Sequence, residues 1–494
     1  MSKKEIIWLI IIFAIACGLR LLFIFTTPHL SNTESYYHLR IAEELKSTVI
    51  PKFYDRLSYS GKTDLYSPVF YYTIQPLLWM SNPETAAKIF PSILISTLVF
   101  PVFLISRKIT NKTNFSLLTA FVSIFIPANI TLTFNKFDPN CIMIPLMFLT
   151  LYFAMEIKRY TTYFIIASIA GAATHPTFLL LITAFILYLT LIKAAGLKAD
   201  NKRVEAILFS AILTFWAVLV IYKSALLLNG IAIIWQNIPQ QILRKYFFGI
   251  NILEAVYTIG LVPLLAGIFV IYKYINSKIK REIYMLISFG MSIIVLTAAY
   301  LLKPDYGLTI IGIVLTILFG VFLSDLWDYL ANARSKIIRP AIVAAILISI
   351  IFTNIAPSII YIQRSIDESD ISETYKALEW IKENTDNNSV ILSSPEEGNL
   401  VSYFAERKNV IDENYLNQPD AEERLEDVNR IYKTGYSTEA IPLLTKYKTT
   451  YILFTPYTAE KYNTQSLRFI NENCFELVYD KETKVYKSLC EMKT

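Results

Sequence analysis

The chain has 494 residues, 54% of them hydrophobic and 14% aromatic, with a mean hydropathy of +0.45. That is too apolar for a single soluble domain and points to a polytopic membrane protein with a polar remainder. The formal charge of +6 sits in short Lys and Arg clusters between apolar runs and not on one basic face, so it reads as a topology signal, and nucleic acid is not an expected partner.

Apolar runs of the roughly 20 residues that cross a bilayer fall at 6–27, 86–106, 114–134, 139–157, 161–174, 176–193, 204–228, 253–273, 283–302, 307–325 and 338–360. The expected fold is therefore mostly α. A transmembrane bundle of about eleven spans occupies 1–360 with a long first external loop at 28–85, and a mixed α/β soluble domain occupies 361–494. The first run is long for a signal-peptide core and no small-x-small cleavage site follows it, so it reads as a retained anchor.

Cations fix the expected orientation. Lys3 and Lys4, Arg107, Lys108 and Lys112, Lys158 and Arg159, and Lys193, Lys198, Lys202 and Arg203 fall in alternate loops. Lys273, Lys278, Lys280, Arg281, Arg334, Lys336 and Arg339 continue the alternation. By the positive-inside rule these loops and the N-terminus face the cytoplasm, and the C-terminal domain lies outside the cell membrane. The outward set holds all three histidines, His29, His38 and His175, none of which was used to choose sides.

Within that set, 66–80 and 228–252 are aromatic-rich, too broken to span, and expected at the membrane interface. The tail alternates short apolar strands with helical spacing, and 475–479 and 485–489 flank the polar run 480–484, a hairpin signal. Symmetric pairing about Glu482 sets Cys474 opposite Cys490, within disulfide reach on an oxidising side.

Three acids stand at predicted outer boundaries: Glu34 in the run 31–40, Asp138 ahead of Pro139 and Asn140, and Glu254 after Leu253. A carboxylate near apolar surroundings needs pairing, solvent or a metal. Three of them from distant parts of the chain suit a shared Mg²⁺ or Mn²⁺, as hard oxygen donors do. The plainer reading is that each marks a helix end, and Asp138 before Pro139 is a good helix start in its own right.

Taken in order, these segments resemble the catalytic subunits of archaeal oligosaccharyltransferases, within the GT-C glycosyltransferases of polyprenyl-linked donors. Glu34-Ser35-Tyr36-Tyr37-His38-Leu39-Arg40 resembles the first-loop acidic motif, Phe137-Asp138-Pro139-Asn140 the second-loop motif, and Ile252-Leu253-Glu254 the fifth-loop glutamate motif. The segment 390–398 takes the place of the Trp-Trp-Asp-Tyr-Gly block, and 403–412 continues as that family does. This chain departs in having Glu34 for the usual Asp, Asn140 for a second acid, and a block in which only Gly398 matches outright.

The resemblance implies transfer of a sugar or glycan from a polyprenyl phosphate or pyrophosphate carrier, in the bilayer, to a protein or glycan acceptor outside the cytoplasm. Glu34, Asp138 and Glu254 would act in catalysis and hold the metal. Arg40, His38 and His175 would meet the donor phosphate, and Glu396 and Gly398 would contact the acceptor. With a single-phosphate carrier the first-loop acid acts as base and no metal is needed. Loss of the tryptophans and aspartate leaves open a monosaccharide transferase acting on protein hydroxyls, lipid or cell-wall polymer. A non-catalytic scaffold or transporter is the reading from another class, although no repeat between the halves supports transport.

Overall fold

A backbone inside a bilayer must satisfy its amides within its own segment, so the long apolar runs fold as helices. The computed structural model describes residues 2–491 apart from 198–199, 250, 278–279, 332–337, 417 and 419. Lys198, Lys278, Arg334 and Lys336 of the cationic loops lie outside the described residues. The chain divides into two compact units.

Unit 1 comprises Met1–Thr27, Thr85–Ile221 and Lys245–Asp367. Among the described residues, seven helices of the chain are long and apolar enough to cross a membrane, or nine if each of two bent pairs is one span. The two other expected spans appear as Asn140–Met155, apolar but 16 residues long, and as Ile157–Thr174. Pro304–Leu330 is the most enclosed of the seven long candidate spans and packs against Val99–Thr110, Thr113–Val122 and Leu261–Ser277. Small residues permit the close approach: a Cβ on Gly320 would lie 2.0 Å from Thr119 Oγ1.

Both bends have local causes. Thr113–Phe125 and Pro127–Thr133 meet at 49°, where Pro127 has no N–H to give to the preceding turn. Ile252–Ile259 and Leu261–Ile275 meet at 92° across Gly260, whose φ of +94° suits glycine alone. The side chain of Asn354 fills the space where a Cβ would stand. Arg20, buried in the helix Lys3–Ile24, donates to Thr133 Oγ1 at 3.0 Å.

Unit 2 comprises Pro28–Glu84, Tyr222–Arg244 and Glu368–Thr494. Its strands are β1 (Tyr54–Asp55), β2 (Lys62–Thr63), β3 (Val390–Leu392), β4 (Lys408–Asn409), β5 (Tyr451–Phe454), β6 (Phe475–Asp480) and β7 (Lys484–Ser488). β1 and β2 form a small hairpin, and the others form one sheet in the order β4-β3-β5-β7-β6, parallel across the first three and antiparallel across the last three. Parallel strands need both faces covered. Accordingly β3 is wholly buried, with Ala421–Lys433 supplying Leu425, Val428 and Ile431 to the core around Leu392, Ile452 and Phe454. A disulfide joins Cys474 to Cys490 at the open end of the β6-β7 hairpin, the expected pair, although a bulge between Leu477 and Tyr479 shifts the register there by one residue from symmetric pairing about Glu482.

Two helices carry the first loop: α1 (Glu34–Thr48) and α2 (Pro68–Met80). They pack on each other, with Leu39, Ala42 and Leu45 buried on α1, Phe70, Ile74 and Leu78 buried on α2, and Gln75 Nε2 donating to the Ala42 carbonyl at 2.9 Å. The aromatic stretch 66–80 is thus partly a core element, while Trp79 and Met80 at its end stay exposed. From the second aromatic stretch, Ile238 and Ile242 pack on the sheet core and Asn237 Nδ2 donates to the carbonyls of Tyr415 and Gln418.

Candidate active site

An acid in the first turn of a helix is favoured by the partial positive charge of its N-terminus, and residues four apart share a face. Both rules act on α1, where Glu34 opens the helix and His38 follows one turn later. Their ligand atoms lie within 4.8 Å of one another. His38 Nδ1 shares a hydrogen bond with the Tyr71 hydroxyl at 2.7 Å, and the rings of Tyr37, Phe70 and Tyr71 wall in the imidazole. Burial pushes the imidazole down to about 4, against the opposing pull of Glu34, so His38 is neutral at pH 7.

Arg40 lies on the inner side of the same helix. It donates to both carboxylate oxygens of Asp55, at 2.8 and 2.7 Å, as a bidentate pair. Burial presses the guanidinium down, but Asp55 outweighs it and holds the charge on. This fork ties α1 to the β1-β2 hairpin. The acid that Arg40 grips is Asp55, 15 residues further along the chain.

From β2, Lys62 Nζ reaches Asp412 at 2.7 and 2.6 Å, both side chains fully enclosed. Burial would strip the Lys62 proton, but Asp412 and then Asp64 keep it above its usual range. Asp64 is the third buried carboxylate beside two cations. Burial pushes it up, whereas in Asp55 the Arg40 fork overcomes burial and holds the carboxyl down.

The tail segment 394–398 is internally satisfied. Glu397, buried, accepts from Ser394 Oγ at 2.7 Å, Thr458 Oγ1 at 2.8 Å and Thr455 Oγ1 at 2.5 Å. Burial raises its carboxyl, and the three hydroxyls moderate the rise. Glu396 forms a salt bridge with Lys461. Gly398 marks a close approach of two backbones, since a Cβ there would stand 2.3 Å from the Ile411 carbonyl oxygen.

The remaining expected residues belong to unit 1. Asp138 accepts the Asn140 N–H at 2.7 Å, and Asn140 Nδ2 donates to the Tyr306 hydroxyl at 2.9 Å, which sets the loop 134–139 beside the start of Pro304–Leu330. Asp305, in the first turn of that helix, interacts electrostatically with Lys136 and with Glu254. Asp138 and Glu254 thus border one helix start. His175 Nδ1 accepts the Thr177 N–H at 3.2 Å and caps the short turn Pro176–Leu179. Among the described residues of either unit taken alone, no three His, Cys, Asp or Glu side chains converge on one point.

Residue patterns alone did not reveal Tyr71, Asp55, Lys62 or Asp64. The signal available was the group of four charges Asp55, Arg56, Lys62 and Asp64 just ahead of the aromatic stretch 66–80.

Residues 282–491 match the family model described as "Dpy19: Q-cell neuroblast polarisation". No curated protein matches the chain in sequence. Among solved structures, it is similar to the oligosaccharyltransferase AglB of Archaeoglobus fulgidus in complex with an inhibitory peptide and a dolichol-phosphate, with TM-score 0.64 and 14% identity over 92% of this chain and 70% of that one. That enzyme was also solved with Zn and sulfate. ArnT of Cupriavidus metallidurans bound to undecaprenyl phosphate aligns with TM-score 0.60 and 11% identity over 97% of both chains. The fold is that of the GT-C glycosyltransferases. The arabinofuranosyltransferase AftD from Mycobacteria adds a third likeness, with TM-score 0.53 and 11% identity over 99% of this chain and 40% of that one. The chain is accordingly a multi-pass membrane protein with a GT-C fold and a C-terminal α/β part.

Glu34 and His38 fit a divalent cation. One carboxylate oxygen and one imidazole nitrogen at this separation reach a common ion with small side-chain adjustments, and the mixed donors suit Mn²⁺ or Zn²⁺ better than Mg²⁺.

Proposed function

We propose that the protein is a membrane glycosyltransferase that moves a sugar or glycan from a polyprenyl phosphate or pyrophosphate carrier to an acceptor outside the cytoplasm, with the N-terminus cytoplasmic and unit 2 external. The observation that carries this reading is the Glu34 and His38 pair, set on one face of α1 within a GT-C fold. Three relatives of that fold are glycosyltransferases, and two were solved with polyprenyl phosphates.

In the reaction, the bond between the sugar's anomeric carbon and the phosphate oxygen breaks, its electron pair stays on the phosphate, and a bond forms to the acceptor's oxygen or nitrogen. Glu34 takes the acceptor proton, the role of a carboxylate general base. Neutral His38 presents a nitrogen lone pair and not a cation. A bound Mn²⁺ or Mg²⁺ would offset the negative charge left on the phosphate. Asp138 and Glu254 keep, in this proposal, the metal-binding and catalytic roles expected from the sequence. His175 keeps its role toward phosphate.

A second reading, a single-phosphate monosaccharide donor with an acceptor other than an Asn-x-Ser/Thr sequon, is favoured by one feature. The segment 394–398 spends its carboxylates on Ser394, Thr455, Thr458 and Lys461, leaving Glu396 and Gly398 little to offer an acceptor. Proteoliposomes holding the purified protein, given radiolabelled polyprenyl-linked sugars with and without EDTA, separate the readings. Consumption that EDTA stops and Mn²⁺ restores supports the metal-dependent form. Consumption untouched by EDTA supports the metal-free form, and no consumption of any such donor refutes both.

A further inference from the structure

We propose that Tyr71 is a positioning residue: its hydroxyl oxygen accepts the Nδ1–H of His38, fixing the imidazole so that Nε2 is the nitrogen offered to a Mn²⁺ ion beside Glu34. The inference rests on the metal-dependent reading above and adds to it which ring nitrogen binds and what holds it there.

An imidazole has two nitrogens, and the hydrogen bond at one decides what the other can do. In His38 the Nδ1 side is taken by Tyr71, at 2.7 Å. Tyr71 is 1% exposed and sits on α2, a helix that packs directly against α1. Its own ring is held edge-on by Tyr66, at 5.1 Å between centroids, and by Phe70, at 5.3 Å. Phe70 also stands edge-on to His38 at 6.4 Å, and Tyr37 does so at 5.3 Å. The imidazole therefore has ring walls on several sides and one polar contact that sets its flip state. Turning the ring over would place Cδ2 against the Tyr71 hydroxyl and put Cε1 where Nε2 now stands, so the flip costs the hydrogen bond and moves the second nitrogen. A ligand held this way meets an ion with its rotamer already chosen, which is the usual function of a hydrogen-bonded partner behind a metal-binding histidine.

Mn²⁺ binding to the full-length protein in detergent, followed by electron paramagnetic resonance, tests this without relying on turnover. Tyr71→Phe keeps the ring and removes the hydroxyl. It is expected to weaken Mn²⁺ binding by about 10-fold to 100-fold and to shift the coupling of the non-coordinated imidazole nitrogen. Equal affinity and an unchanged remote-nitrogen signal in Tyr71→Phe overturn the proposal. A second measurement needs no variant: protein made with histidine carrying ¹⁵N at Nδ1 should keep its strong directly bound ¹⁴N coupling, because Nε2 is unlabelled. A strong ¹⁵N coupling would place Nδ1 on the metal and overturn the proposal. Wild-type Mn²⁺ binding that Glu34→Gln abolishes but that lacks any nitrogen coupling leaves the metal-dependent reading standing and removes this one. Absence of Mn²⁺ binding removes both.

Discussion

Two segments of unit 2 that carry acids, 34–40 and 394–398, do different work. In the second, each carboxylate is consumed internally: Glu397 by three hydroxyls and Glu396 by Lys461. In the first, the inward-facing Arg40 is spent on Asp55, while Glu34 and His38 share the opposite part of the helix with ligand atoms within reach of each other. An acid whose acceptors are filled by its own chain holds structure together. An acid at a helix start beside a neutral imidazole can take a proton or a metal. The difference lies in what each side chain meets and not in residue type.

The comparison breaks most visibly at Glu34. Glu34→Gln keeps the shape and removes the base, so donor turnover should fall by roughly 10² to 10⁴-fold, read as sugar release by the purified protein. Next in size is the buried pair that ties β2 to the tail. Lys62→Met leaves Asp412 enclosed without its cation and should cost about 3–5 kcal/mol, measured as a lowered thermal midpoint. The double variant Lys62→Met with Asp412→Leu should recover most of that loss. If the single change is silent, the pair does not hold unit 2 together.

His38 sets a pH dependence of about 3 kcal/mol. Its folded value is lowered to about 4 from an ordinary 6.5, so the unfolded chain binds the extra proton first. The contribution is present in full above pH 6.5 and is lost as pH falls toward 4. Thermal midpoints across that range should show a slope that His38→Gln flattens. Smallest is Glu397→Gln, which weakens acceptors for three hydroxyls and should cost about 1–3 kcal/mol of stability while leaving donor turnover nearly unchanged. Loss of turnover at constant stability would move the chemistry to the tail segment.

Much of the architecture was legible in sequence because it depends on local periodicity. The strands around 390–392, 451–454 and the 475–488 hairpin, and the helices at 372–384 and 421–433, follow from apolar spacing, and Cys474 meets Cys490 at the hairpin's open end despite a bulge that local spacing did not show. The bends at Pro127 and Gly260 also have sequence causes, although runs of hydropathy conceal them. What did not show was long-range pairing. Arg40 chose Asp55 over the neighbouring Glu44, and Lys62 chose a partner 350 residues away, because burial in a common interior, and not proximity along the chain, decides which charges must be matched. Tyr71 was hidden for the same reason: among many tyrosines, only packing against α1 distinguishes it.

The measurement closest to the centre of this account is sugar release from a polyprenyl phosphate donor by purified wild type, Glu34→Gln and Glu397→Gln, run side by side at matched folded fraction. The account predicts near-complete loss in Glu34→Gln and turnover within about threefold of wild type in Glu397→Gln. Full turnover in Glu34→Gln, or collapse in Glu397→Gln alone, would contradict it.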